Sequence, residues 1–358
     1  MYKSTCQTLF IILFCVINCC LHFSDGGGAD LHRLKFDPEE KFLYDRFYNF
    51  AVKHGRTYLN DSLELVSRFQ IFKESVQRAE ILNAPYKKQG LPPVFGVNKF
   101  SDLTQEEFKA KYLSGLKQQS SPLKFQSRFS LLEENRMSVK VFPQLVDWRK
   151  KPVLSPIKDQ GSCGACWAFS LTETMESMSV IQYNVTSVPK LSPQELIDCN
   201  DGGNGCEGGD ICQAAEWATN HGIVAESLYP ITRHTDACKQ VSPSSKRVKI
   251  TDFYCQNFTN KEMGILKAVA NHGPVTVAVD AATWHNYVGG IIRFHCSRHT
   301  NHAVQIVGYN LNGDVPYYIL RNSWGSDFGD HGYLYVKFGD NLCGVATRVV
   351  KLNVSPQV

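Results

Sequence analysis

From Pro38 to Lys53 the residues Phe42, Leu43, Phe47, Phe50 and Ala51 fall near helical spacing, with Lys, Asp and Arg between them, which predicts an amphipathic helix. A second helix is expected from Asp61 to Asn83. Ser114 to Lys140 is rich in Ser, Gln, Lys and Arg without a sustained period, the pattern of an extended linker open to proteolysis. After Cys166, Leu171, Met175 and Met178 recur at helical spacing beneath Trp167 and Phe169, so a long buried helix should begin at Cys166. From Thr251 onward the period changes to short β-branched or aromatic runs bounded by Gly, Pro, Asn and Asp: Val275 to Val279, Ala303 to Val307, Tyr317 to Leu320 and Tyr333 to Val336. Helices first and strands second predict an α+β fold with a cleft between its halves, where ligands commonly bind.

The N-terminus reads differently. Met1-Tyr2-Lys3, the apolar run Leu9 to Ile17 and the glycine-rich Ser24 to Gly28 have the layout of a secretory signal peptide over residues 1–23; the alternative is a buried N-terminal helix. The run is too short to cross a bilayer, and no later segment approaches about 18 consecutive apolar residues, so no membrane span is expected. A net charge of +4 over 358 residues, without a basic stripe, gives no argument for nucleic acid.

Of thirteen cysteines, four lie before residue 21 and nine from Cys163 onward. An odd number in a secreted chain implies one unpaired thiol. Asn60-Asp61-Ser62, Asn184-Val185-Thr186 and Asn257-Phe258-Thr259 are glycan acceptor triplets that suit that route, and Asn353-Val354-Ser355, ahead of a proline, is a weaker one.

The chemistry concentrates in Gln160-Gly161-Ser162-Cys163-Gly164-Ala165-Cys166-Trp167, with His302 in Asn301-His302-Ala303 and Asn322 in Arg321-Asn322-Ser323-Trp324-Gly325 lying 136 and 156 residues beyond Cys166. A free thiol has a pKa near 8.5 and needs help to attack a carbonyl at neutral or acidic pH. The positive end of a helix begun at Cys166 favours thiolate, and an imidazolium at His302 favours it more. His302 can then protonate the leaving amine and later activate water, with Asn322 bonded to its other nitrogen to fix the ring.

At these residues the chain resembles the papain-like cysteine proteases, from Pro143 to the C-terminus and through a matching pro-region. Glu64, Arg68, Phe72 and Asn83 stand at the spacing of that family's pro-region helix motif, with Ser75 and Ala79 where Asn and Ile are usual. Gly96-Val97-Asn98-Lys99-Phe100-Ser101-Asp102 fits its G-x-N-x-F-x-D motif at every fixed position. The other reading of this region is a small helical domain with its own task. The resemblance implies a papain-like two-domain fold: a signal peptide over 1–23, an inhibitory pro-region with linker over 24–141, a helical half over 142–250 and a β-rich half over 251–358. Maturation is expected near residues 140 to 143, since Phe142 to Arg149 resembles the family's mature N-terminus. The resemblance also implies a secreted or lysosomal zymogen of an endopeptidase that uses no cofactor or metal. Its partners would be protein or peptide substrates, its own pro-region as intramolecular inhibitor and cystatin-like inhibitors, and it would act as a monomer. An acid-triggered release is expected, because paired charges such as Glu64 and Arg68 lose support as carboxylates protonate.

Residue by residue, the resemblance implies that the Gln160 side chain and the Cys166 N–H form the oxyanion hole and that Trp324 covers the Asn322–His302 bond. Gly208 and Gly209 would pair with substrate backbone. Ala278, Ala303 and Arg348 would line the pocket for the side chain two residues before the scissile bond. A guanidinium there would attract acidic side chains; alternatively Arg348 turns outward to water. The implied disulfides are Cys163–Cys206, Cys199–Cys238 and Cys296–Cys343. Cys212 and Cys255 match no common family pair; they form a fourth bridge or stay as two buried thiols. Ala165 stands beside the nucleophile where Ser is usual, Glu207 precedes the glycine pair where Asn is common, and Phe328 replaces a second Trp. The short stretch from Cys199 to Cys206 leaves no room for an occluding insertion, which favours endopeptidase action. Two competing chemistries fit fragments of the pattern: redox use of Cys163-Gly164-Ala165-Cys166, and zinc binding by His295, Cys296, His299 and His302. A non-catalytic binding homologue is the rival from another class, but no essential residue is missing.

Overall fold

The computed structural model describes residues 37–113, 116 and 143–355. The signal-peptide stretch and almost all of the linker, with residues 140–142 of the expected maturation region, lie outside the described residues. The chain divides into two compact units, Met1–Val66 and Ser67–Val358.

In the first unit, α1 spans Pro38–Lys53. Asp37 caps it by accepting from the Glu40 N–H at 2.8 Å, Pro38 opens the first turn, and Glu39 and Glu40 sit at its positive end. The helix buries Phe47, Phe50 and Ala51, and Phe47 stacks on Tyr58 at 6.1 Å. Phe42, counted with the apolar face from its spacing, is 71% exposed.

The second helix, α2, runs Ser62–Lys88, one turn past the expected end, with Pro85 inside it. Asn83 explains why that turn is held. Its Oδ1 accepts from the Val94 and Phe95 N–H groups and its Nδ2 donates to the Phe95 carbonyl, tying the following loop to the helix. The short α3 (Gln105–Phe108) starts in a capping box between Thr104 and Glu107.

Beyond residue 143 come β1 (Leu145–Asp147), α4 (Cys166–Tyr183), α5 (Pro193–Cys199), α6 (Ile211–His221), β2 (Ile223–Val224) and β3 (Arg247–Val248). They are followed by β4 (Ile250–Gln256), α7 (Met263–Asn271), β5 (Val275–Val279), β6 (Ile291–Ile292), β7 (His302–Asn310), β8 (Tyr317–Arg321), β9 (Tyr333–Lys337) and β10 (Val349–Val354). The main sheet has the order β4-β10-β5-β7-β8-β9-β6, with β1 on β7; all pairs are antiparallel except β6 with β9. The four strands read from the sequence are present, three of them longer than expected. Helices first and a largely antiparallel sheet second make the α+β arrangement expected from the sequence.

Two apolar cores flank this sheet. One gathers α4, α5 and α6 around Trp167, Phe169, Leu171 and Met175, and also takes Phe253 of β4 and Val350 and Leu352 of β10. The strands at that edge therefore serve the helical side as well. The other core joins Val275, Ile306, Leu320 and Trp284 of the sheet side to Leu82, Tyr86, Phe95, Phe100 and Phe108 of the pro-region. The pro-region thus docks as part of a continuous core, the strongest kind of contact available to it.

Candidate active site

Cys166 is the first residue of α4, after Ala165, which provides no side-chain cap. The first-turn N–H groups are left for other acceptors, and the positive helix end falls on the thiol. The sulfur meets the backbone N–H of Ala303, Trp167 and Cys166 itself. Ala303 directly follows His302, so the backbone group touching the thiol belongs to the residue next to the imidazole.

His302 opens β7, whose neighbour β8 ends at Arg321, one residue before Asn322. The antiparallel pairing of these strands brings the two side chains together: His302 Nε2 lies 2.8 Å from Asn322 Oδ1. An amide oxygen accepts only, so Nε2 carries the proton and Nδ1 is the basic nitrogen. Nδ1 is buried and has no hydrogen-bond partner among the described residues. The Trp324 ring covers the imidazole with centroids 4.6 Å apart, and Trp284 stands edge-on at 6.0 Å.

Gln160 is fully buried, donating from Nε2 to the Cys163 carbonyl at 2.9 Å and accepting at Oε1 from Ser323 Oγ at 2.6 Å. Its second Nε2 hydrogen is available to a developing oxyanion. Gly208 has φ +111°, and a Cβ on Gly209 would come 2.6 Å from the Trp167 indole. Gly209 is therefore required by packing on Trp167, in addition to the backbone access read from the sequence. Its backbone bridges to Leu116, the one described residue of the linker, so pro-region chain lies at this end of the site.

The site is closed. Cys166 and His302 are completely buried, and the pro-region's Phe100, Phe108 and Tyr112 surround Trp324 at 5.5, 5.4 and 5.9 Å. Burial pushes the Cys166 thiol up to about 12, against the pull of three backbone N–H groups, and pushes His302 down to about 4, against its bond to Asn322. Each group in this dry setting favours its neutral form. The thiolate and imidazolium expected from sequence are the forms that this burial disfavours.

Ala278 and Ala303 face each other across β5 and β7, and the Arg348 carbonyl accepts from the Ala278 N–H, so the three expected pocket residues form one row. The Arg348 guanidinium, however, neither points to water nor stands as a bare charge. It pairs with buried Asp210 at 2.7 Å and its Nε donates to Cys212 Sγ at 3.0 Å. Neither expectation, a pocket guanidinium or a side chain turned outward to water, included this partner: buried Asp210 balances the charge.

Cys163–Cys206, Cys199–Cys238, Cys212–Cys255 and Cys296–Cys343 are bonded, and Cys166 is the free thiol among the described residues. Bonding of Cys163 to Cys206 and of Cys296 to Cys343 removes a partner from the redox reading and a ligand from the zinc reading. Asn60, Asn184 and Asn257 are all exposed.

Sequence inspection missed a buried charge cluster linking α4 to β8. Arg321 reaches Glu173 at 3.3 Å and donates to Ser155 Oγ and the Pro156 carbonyl, while Glu176 takes Lys158 at 2.6 Å. Burial, only partly offset by Arg321 and Lys158, raises Glu173 to about 7. The signal available was Glu173 and Glu176 set within a helix otherwise buried all round. The cluster ties the helix that starts at Cys166 to the strand that ends beside Asn322.

Comparison with known proteins agrees with this geometry. The family described as papain family cysteine protease matches residues 142–352, and that described as cathepsin propeptide inhibitor domain matches 47–108. The chain is 39% identical over 285 residues to cathepsin O of Mus musculus, covering 79% of this chain and 88% of that one. It is 38% identical over 288 residues to cathepsin O of Homo sapiens, covering 79% and 87%. Among solved structures it is similar to the digestive procathepsin L2 proteinase from the larval midgut of Tenebrio molitor, with a TM-score of 0.78, 32% identity and coverage of 87% and 100%.

Proposed function

Since this chain belongs to the papain family of cysteine proteases and carries a cathepsin-type propeptide inhibitor domain ahead of the peptidase, we propose that Cys166, His302, Asn322 and Gln160 are its reacting group. Once uncovered, the Cys166 sulfur passes its proton to His302 Nδ1 and attacks the peptide carbonyl. The Cys166 N–H and Gln160 Nε2 receive the oxyanion. His302 returns the proton to the leaving amine, and a water activated by His302 then releases the acyl group. Asn322 holds the ring by its 2.8 Å bond, and Trp324 keeps water from that bond. This bond, beside the one free thiol among the described residues, carries the reading.

Substrate backbone is assigned to Gly208 and Gly209, and the side chain two residues before the scissile bond to the row of Ala278, Ala303 and Arg348. Residues 1–23 are taken as the signal peptide, 24–141 as pro-region and linker, 142–250 and 251–358 as the two halves of the mature enzyme. Entry to the secretory pathway, a lysosomal or extracellular destination, release in acid, glycans on Asn60, Asn184 and Asn257, a monomeric state and control by cystatin-like inhibitors complete the proposal. The exposed acceptor asparagines and the bonded cysteines support that route.

The test is active-site titration of the acid-processed protein with an epoxide-type thiol inhibitor, beside a Cys166→Ala control. Loss of peptidase activity at one equivalent, with label on Cys166, is expected. Peptide hydrolysis by the Cys166→Ala protein would refute the assignment.

A further inference from the structure

Lys99 occupies a variable position of the pro-region's G-x-N-x-F-x-D motif, yet its ammonium is among the most closely held groups at the site. Nζ donates to the Trp324 carbonyl at 2.5 Å and to Asp327 Oδ1 at 2.7 Å, and it lies 3.7 Å from Asp159 Oδ2. The Lys99 side chain is only 15% exposed, whereas those of Asp159 and Asp327 are 44% and 56% exposed. The three acceptors come from both sides of the reacting group: Asp159 precedes Gln160 and forms a backbone bridge with Trp324, the residue over His302. Gly325 lies between them with φ +79°, and a Cβ there would sit 3.0 Å from each carboxylate and 3.1 Å from Nζ. Glycine thus leaves room for an ammonium to reach a backbone carbonyl.

We propose that Asp159, Asp327 and the Trp324 carbonyl form a subsite for a lysine ammonium, filled by Lys99 in the zymogen and by a substrate lysine after activation. The inference rests on the reaction assigned above and adds a preference to it. His302 protonates the leaving amine, so substrate residues after the scissile bond depart past His302 and Trp324, and the subsite selects lysine among those leaving-side residues. A separate pro-region contact, the bridge of Leu116 with Gly209, involves the glycine pair assigned to substrate backbone and none of these three acceptors. When Lys99 departs, no other cation forms an ion pair with Asp159 or Asp327 among the described residues. Lys158 is paired with Glu176, and Arg233 donates to the Asp159 carbonyl rather than its carboxylate. A lysine fits better than an arginine, since the acceptors converge on a single nitrogen instead of a planar fork.

The experiment uses acid-processed enzyme and two substrate types. A peptidyl coumarylamide with no amino acid after the scissile bond reports the reaction alone. Internally quenched peptides carrying Lys, Ala or Glu at the first, second or third leaving-side position report the subsite. The expected result is a kcat/KM about two- to fivefold higher for Lys than Ala at one position, as for partly exposed ion pairs. It should be lost in Asp327→Asn and in Asp159→Asn, with coumarylamide hydrolysis unchanged, and should weaken with added salt. Coumarylamide hydrolysis without a lysine preference, or with a preference indifferent to both variants, would overturn the subsite while leaving the reaction standing. Failure to hydrolyse the coumarylamide would overturn the reaction and the subsite with it.

Discussion

Replacing His285 by glutamine removes a proton-binding group from the pro-region contact while preserving its hydrogen bonds. His285 belongs to the peptidase side, and the pro-region encloses it. Nε2 donates to the Phe100 carbonyl at 2.8 Å, Nδ1 accepts from Arg78 Nη2 at 3.2 Å, and the ring stacks on Phe108 at 4.4 Å and 6°. A proton on Nδ1 would set N–H against N–H and cation against cation. Burial first and Arg78 second lower the ring to about 4 from an ordinary 6.5, and Glu107 is the facing anion that opposes them. Docking is therefore fully supported above pH 6.5 and weakens as pH falls toward 4. With an ordinary pKa in the released state, acidification from pH 7 to pH 5 costs about 1.8 kcal/mol, roughly a 20-fold shift toward release. Glu107 acts lower: its bond to Arg68 holds it below the usual carboxylate value, so its support is lost only beneath about pH 4.5. Hydrogen exchange of the α2 amides in a Cys166→Ala zymogen reads opening without cleavage. The parent should open about 20-fold more at pH 5 than at pH 7, and His285→Gln should be nearly flat over that range. Equal pH dependence in both proteins would refute the reasoning.

Further outcomes follow from single contacts. Arg348→Ala should destabilise the protein by about 3 kcal/mol in urea unfolding, because it takes the ion-pair cation from the buried Asp210 carboxylate, whose Oδ1 keeps neutral donors in the Cys212 and Gln213 N–H groups, and Asp210→Asn in the same chain should recover part of the loss. Replacing both Cys212 and Cys255 by alanine opens a loop with a sequence separation of 43 and should lower stability by about 4 kcal/mol, read as a drop in Tm. Gln160→Ala should reduce kcat by roughly 100- to 1,000-fold, with Cys166 still reactive to small alkylating agents.

Local sequence by itself determined α1, the start of α4 at Cys166 and the main β-runs, because period, capping residues and β-branched runs act over a few residues. It also singled out the residues proposed to react, since their immediate contexts are distinctive, and left one odd thiol, which is Cys166 among the described residues. Only the tertiary structure decided what depends on residues far apart in the chain. For Arg348 the sequence left open a pocket guanidinium or a side chain turned to water, and its pairing with Asp210, 138 positions earlier, came only with the fold. Lys99 and His285 carried no local signal at all, since their meaning lies in Asp327 and Arg78, more than 200 residues away. Charge balance and burial are properties of the folded neighbourhood, and a one-dimensional pattern holds no distance between such partners.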